Sequence, residues 1–220
     1  MLSSKLLAHQ TNLTKLKLKF AIIAGSHRQE SHSGRIASYI SRKIEENIPL
    51  SETYLLNLQG NPLPLWDESV WDGDPKWKEN WEPISNELQT ADAIILISPE
   101  WAGMVPSGLK NLLLFCGGGT ELADKPAMIV GVSSSFGGTY PITELRLNSH
   151  KNTRMVFIPD HLIIRHCEGI FVEKEPQSED DKYIRARLDH SLGVLAAYST
   201  ALKQVRDAKV VDRKTYPFGM

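Results

Sequence analysis

The sequence predicts a doubly wound α/β fold, a five-stranded parallel sheet with helices on both faces. Three observations carry that reading. Five short apolar runs alternate with segments of helical periodicity along the chain. Runs of this kind suit strands buried on both sides, which a parallel sheet covered by helices provides. Right-handed crossovers between parallel neighbours then leave a doubly wound sheet as the natural solution.

The elements follow in order. Phe20 to Ala24 (FAIIA) is the first strand, stopped by Gly25-Ser26. Ser33 to Ile48 is a helix with Ile36, Ala37, Ile40 and Ile44 on one face, and Pro49 stops it. Thr53 to Leu58 is the second strand. Residues 60–83 are rich in proline and tryptophan, with Trp66, Trp71, Trp77 and Trp81 between prolines, and the stretch is too long and aromatic for a mere connection. A helix finishes over Ile84 to Thr90. Ala93 to Ser98 (AIILIS) is the third strand, Ser107 to Phe115 a helix, and Ala127 to Val132 (AMIVGV) the fourth strand. Thr139 to His150 is a further helix and Met155 to Ile158 the fifth strand. Leu162 to Val172 leans towards β structure, and Glu173 to Lys182, with five acids, is expected as a solvated loop or helix start. Tyr183 to Val205 is a long amphipathic helix that buries Ile184, Leu188, Leu192, Leu195, Ala196 and Leu202. The expected organisation is a flexible N-terminal leader over residues 1–16, one α/β domain over 17–172, and a C-terminal helix and tail over 173–220 packed on that domain.

Composition narrows the function. The 220 residues suit a single core. Twenty-five Lys+Arg against 26 Asp+Glu leave a formal charge of -1, so no basic field recommends nucleic acid as a partner. No apolar run approaches the ~20 residues of a membrane helix. Cys116 and Cys167 are too few for a disulfide framework, no CxxC pair offers a metal site, and His161, His166 and His190 lack ligand spacing. A reducing, cytoplasmic location is the simplest reading. The first 29 residues lack the arginine richness of a transit peptide.

Ligands of a doubly wound sheet sit at the carboxyl ends of its strands, which singles out three loops. In the first, Gly25 to Ser33, hydroxyls and Arg28 lie at a helix N-terminus, where free amides and the macrodipole attract an anion. GxGxxG and GK[ST] are both absent, so a terminal monophosphate fits better than a bridging pyrophosphate; plain N-capping by Ser31 or Ser33 is the alternative. The second loop, after Ser98, offers Pro99, Glu100, Trp101, Gly103 and Met104 to a flat ring; the alternative is a tight connection with Trp101 in the core. The third, Ser133 to Gly138, has a Gly137-Gly138 pair that lets backbone pass close to a ligand, with amides able to face a ring carbonyl or nitrogen. One phosphate loop and two ring loops at one edge describe a mononucleotide site such as one for FMN.

At these residues the chain resembles the NAD(P)H-dependent FMN reductases of the flavodoxin-like superfamily. The resemblance rests on GSxRxxS (Gly25 to Ser31), on SPEW-x-G-x-VPSGLKN (Ser98 to Asn111) and on Ser133 to Gly138, with PLPLWDE (Pro62 to Glu68) similar to the family's loop after strand two. Trp101 stands in place of the usual tyrosine, Ala102 in place of asparagine, and Ser33 where asparagine is common. The resemblance implies a flavodoxin-like fold with Ser26, Arg28, Ser31 and Ser33 on the FMN phosphate. Pro99, Glu100, Trp101 and Gly103 would line the isoalloxazine, the first contact of Glu100 being through its backbone, with Ser133, Ser135, Gly137 and Gly138 near the ring's polar edge. It implies hydride transfer from NADPH or NADH to flavin N5 and on to a quinone, free flavin or other small-molecule acceptor, with no side-chain acid or base required. It also points to a homodimer or homotetramer.

The helix Ser107 to Phe115 supports assembly independently, because Leu109, Leu112, Leu113, Leu114 and Phe115 spread around more of it than one sheet face can cover. The Trp-rich segment is the natural complement across the interface, with the C-terminal helix of the same chain as the alternative cover. All four tryptophans are expected in packing and interfaces, and for Trp66, beside the PLPLW turn, contact with a ring is the equal alternative. Two rival functions share the fold: a flavodoxin-type electron carrier and a nucleotide-binding module without turnover.

Overall fold

A computed structural model describes residues 16–118 and 120–216. The leader expected over residues 1–16 lies outside the described residues except for Leu16. Strands β1 (Leu18–Ala24), β2 (Ser51–Asn57), β3 (Ala93–Pro99), β4 (Pro126–Val132) and β5 (Val156–Ile164) form one sheet in the order β2-β1-β3-β4-β5, with every pairing parallel. This is the flavodoxin-like doubly wound order, and it puts β1, β3 and β4 side by side.

Side chains alternate across the strands and both faces are buried. One face packs under helix α1 (His32–Asn47) and the long C-terminal helix α6 (Glu179–Asp207), joining Phe20, Ile22, Ile95 and Val130 to Ile36, Ile40, Ile44, Leu188, Leu192 and Leu195. The other packs under α2 (Lys76–Asn80), α3 (Glu82–Thr90), α4 (Ser107–Phe115) and α5 (Thr139–Asn148), where Ile23, Ile94, Leu96 and Ile129 meet Leu88, Leu109, Leu112 and Ile142. Each fully buried aliphatic side chain contributes about 1.5–3 kcal/mol, and uninterrupted burial is why these strands read so plainly as apolar runs.

Three expectations are corrected. The fifth strand runs on through Ile164 instead of stopping at Ile158, because a bulge opposite Ala127 and Ile129 absorbs Pro159 on this edge strand. The Trp-rich segment folds back on its own chain: Trp77 and Trp81 are buried against Phe115 of α4, with ring centroids 5.0 and 4.9 Å apart. The C-terminal helix lies on the opposite face of the sheet and does not cover α4. Leu65, Trp71 and Leu114 remain exposed on the α4 side.

Asp181, expected in a solvated stretch, is fully buried at the start of α6. Its carboxylate accepts from Phe171 N (3.0 Å), Gln177 N (3.1 Å) and the Arg185 guanidinium (3.0 Å). Burial alone would raise its pKa, but Arg185 and the two amides outweigh that and hold the carboxyl below the usual range. Phe171 sits at φ 59, a costly conformation for an aromatic residue, and stacks on Tyr39 of α1 at 4.1 Å. The segment between β5 and α6 is thereby strapped to both helices of that face.

Candidate functional site

The loops after β1, β3 and β4 meet at the carboxyl edge and enclose a cleft of about 440 Å³. Eight residues expected at a ligand line it: Ser26, Arg28, Ser31, Ser33, Pro99, Glu100, Trp101 and Ser133. Gly103, Ser135, Gly137 and Gly138 do not. A second cleft of about 360 Å³ lies at the opposite edge, and three of the cations that line it are engaged: Lys125 Nζ on the carbonyls of Leu88, Gln89 and Glu121, Arg206 on Asp92, and Arg213 on Asp124.

The first loop leaves β1 at Gly25, whose Cβ would lie 2.7 Å from Ile97 O, so only glycine lets the chain turn this close to β3. Ser26 and Ser33 are buried and Arg28 is exposed. Ser31 is the N-cap of α1, its hydroxyl accepting from Gly34 N at 3.4 Å. The capping role considered as the alternative is therefore real, and it leaves Ser31 at the cleft wall. The first turn of α1 has no acid but carries His32 and Arg35, against the usual preference for negative charge there. Both line the cleft. Arg35 was not singled out from sequence, although a cation in a first helical turn is the signal that could have found it. Its guanidinium donates to Ile170 O and to Cys167 O (2.6 Å), tying the strap to the α1 end of the cleft.

His32, Cys167 and Glu168 bring ligand-type atoms within 4.8 Å of one another. Arg35 Nη2 sits 3.3 Å from His32 Nδ1, and burial pushes the Cys167 thiol up to about 11, so this corner suits an anion better than a cation.

The second loop is a tight hairpin. Trp101 N donates to Met104 O (3.1 Å) and Met104 N to Trp101 O (2.9 Å), with Ala102 at φ 50 and Gly103 at φ 73 between them. Two successive positive φ values make a type I′ turn, whose first position favours Asn or Gly. Ala102 therefore carries strain of about 1 kcal/mol, and Ala102→Asn is expected to raise stability by about that amount in urea melts. Trp101 is half-buried at the cleft wall rather than in the core, edge-on to His27 at 4.8 Å. Met104 is exposed at the rim. Trp66 does not reach the cleft: its amide donates to Asn111 Oδ1 at 2.8 Å and its ring meets Trp71.

Glu100 departs most from expectation. Its carboxylate Oε2 accepts from Gly138 N at 2.6 Å, so that amide faces the second loop and not a ligand. On the far side, Arg165 Nε donates to Phe136 O (2.7 Å) and Gly137 O (3.1 Å). Glu144 of α5 reaches back to Val105 N (2.8 Å) and pairs with Lys110 (2.5 Å). These side-chain ties, between residues far apart in sequence, left no mark in its local patterns.

Chemically, the cleft gathers serine hydroxyls and the guanidinium groups of Arg28 and Arg35, with Glu30 among them, beside the apolar walls of Pro99 and Trp101. Comparison with known proteins agrees in kind. The profile of a family described as NADPH-dependent FMN reductase matches residues 18–169. A protein of Escherichia coli K12 named quinone reductase is 26% identical over 86% of this chain and 98% of its own length. An Arabidopsis thaliana protein named NADPH:quinone oxidoreductase is 26% identical over 84% and 94% respectively. Among solved structures, FerB from Paracoccus denitrificans, described as a flavoenzyme NAD(P)H:(acceptor) oxidoreductase, superposes with a TM-score of 0.64 at 17% identity, over 84% of this chain and 98% of its own, which shows the shared fold.

Proposed function

The chain belongs to the NADPH-dependent FMN reductase family, and from that premise we propose that the 440 Å³ cleft holds FMN and serves NAD(P)H-dependent reduction of a quinone or similar small acceptor. The observation that carries the reading is the convergence in one cleft of an anion pocket with no acid in its helix turn and the apolar wall of Pro99 and Trp101. The donor set fits a terminal phosphate: hydroxyls of Ser26, Ser31 and Ser33, the exposed Arg28, and Arg35 at the same helix end. Pro99, Trp101 and the Glu100 backbone would flank the ring, with Ser133 at its polar edge. Ser135, Gly103, Gly137 and Gly138 would shape the loops around it.

FMN, when bound, supplies two-electron acceptance and donation between the nicotinamide and the acceptor. The chain's own residues bind and orient: hydroxyls and guanidinium groups hold the phosphate, and the hairpin of Trp101 presents a flat wall. Steady-state oxidation of NADPH and NADH with a quinone, by protein loaded with FMN, is the test. Turnover is the expected result; flavin binding without NAD(P)H oxidation would leave an electron carrier.

Among the described residues no helix is long and apolar enough to cross a membrane. Both cysteines are buried free thiols, which supports the reducing, cytoplasmic location. We place the enzyme in a homodimer, with a homotetramer as a further assembly of the same contacts. Trp77 and Trp81 are spent on Phe115 within the chain, so the supporting surface is what they leave open: Leu65, Trp71 and Leu114 beside α4, and Met104 at the cleft rim. Light scattering on a sizing column should return at least twice the 24.7 kDa of one chain; a clean single-chain mass at micromolar concentration would refute assembly.

A further inference from the structure

We infer that the Glu100 carboxylate is a positioning residue: it sets the third loop in the place where the flavin ring is to lie. The inference rests on the FMN reading above. Glu100 follows β3, and its own amide donates to Val132 O at 2.9 Å, so its backbone is fixed to the sheet edge. Its side chain crosses to the third loop and takes Gly138 N–H at 2.6 Å. Gly138, at φ 101, is the N-cap residue of α5 and has no side chain to cap with, and α5 has no acid in its first turn. Glu100 brings that helix end a negative charge from another loop, which the helix dipole favours.

The neighbouring glycine has the same cause. A Cβ on Gly137 would lie 2.7 Å from Glu100 Oε1 and 3.2 Å from Oε2, so the carboxylate occupies the space a side chain would need. Of the glycine pair that reads in the sequence as room for a ligand, Gly137 is room for Glu100, whereas a Cβ on Gly138 would meet Ile163 Cγ2 at 2.9 Å. Arg165 holds the carbonyls of Phe136 and Gly137 from the other side, and Glu144 returns from α5 to Val105 N. The two ring-lining loops are crossed by reciprocal carboxylate ties and form one unit before any cofactor arrives.

The experiment titrates FMN and lumiflavin (the ring system without ribityl phosphate) into wild type, Glu100→Ala, Glu100→Gln, Gly137→Ala and the Glu100→Ala/Gly137→Ala double variant, each checked for folding by its melting curve. Glu100→Ala should weaken both flavins by the same factor, roughly tenfold or more for one charge-assisted bond. Gly137→Ala should do likewise, because its methyl displaces the carboxylate. The double variant should be no worse than Glu100→Ala alone, since the atoms the methyl would strike are gone. Glu100→Gln should recover most of the affinity, its amide oxygen accepting from Gly138. Wild-type lumiflavin affinity in Glu100→Ala, or losses that multiply in the double variant, would overturn the inference. Arg28→Ala, expected to lose affinity for FMN and not for lumiflavin, tests the cofactor reading separately. A wild-type protein that binds neither flavin sinks both.

Discussion

Riboflavin is expected to bind the protein at least about two orders of magnitude more weakly than FMN, and Arg28→Ala should remove much of that difference. Hydrogen bonds to charged groups contribute about 1.5–3 kcal/mol each. At about 1.4 kcal/mol per decade of affinity, two such contacts alone span roughly two to four orders of magnitude. The structure brings more than two donors to the place: Ser26, Ser31 and Ser33 line the cleft with Arg28 and Arg35. Ser26→Ala should act in the same direction as Arg28→Ala with a smaller effect, because a neutral hydroxyl bonds a dianion less strongly than a guanidinium does. Fluorescence titration of both flavins into each variant is the measurement. Equal affinity for riboflavin and FMN in the wild type would remove the phosphate assignment, and wild-type FMN affinity in both folded variants would reduce the loop to a helix cap.

The second large effect lies in the sheet. Gly131→Ala is expected to destabilise the protein by about 3 kcal/mol, the upper end of the usual range for overpacking, and to abolish FMN uptake at micromolar concentration. A Cβ there would sit 2.0 Å from Gly138 O and 3.0 Å from Gly138 C, contacts with backbone that no rotamer change can relieve. Strand β4 and the third loop would have to part, and that loop is the one proposed to lie at the polar edge of the ring. For a chain of this size about 1 kcal/mol moves the melting temperature by roughly 2–4 °C, so calorimetry should show a fall of roughly 6–12 °C. Gly117→Ala is the control: a Cβ there meets nothing within 4 Å. Its melting temperature should stay close to that of the wild type, and an equal fall in both variants would show that the collision with Gly138 is not the cause.

Legibility in the sequence followed burial. FAIIA, AIILIS and AMIVGV are buried on both faces, so each reads as an unbroken apolar run and is recovered within two residues at either end. The fifth strand is expected to end at Ile158, six residues short of its observed end, because a bulge between strands is a property of two segments that neither shows alone. Eight of the twelve expected ligand residues meet in one cleft, since loops at the carboxyl edge of adjacent strands must converge. What stayed hidden depends on contacts between distant residues. The Glu100 side chain reaches Gly138, 38 positions on, and Asp181 in a run of acids is buried only because Arg185 and two amides receive it.

The strap between β5 and α6 has a consequence for how the cleft opens in time. The Phe171 amide is bonded to buried Asp181, whose other partners include Arg185 of the same helix. It can exchange its hydrogen with solvent only when the start of α6 lifts from the sheet, so its protection should match that of amides in the helix core and exceed that of an ordinary loop. Cys167, four residues earlier, forms part of the cleft wall and is held by Arg35. The segment that follows this wall is therefore pinned as long as the helix stays docked. A chain cut before Glu179 is expected to keep Cys167 on Arg35 and Ser133 but to free the strap beyond it, loosening a wall that no residue of α6 lines.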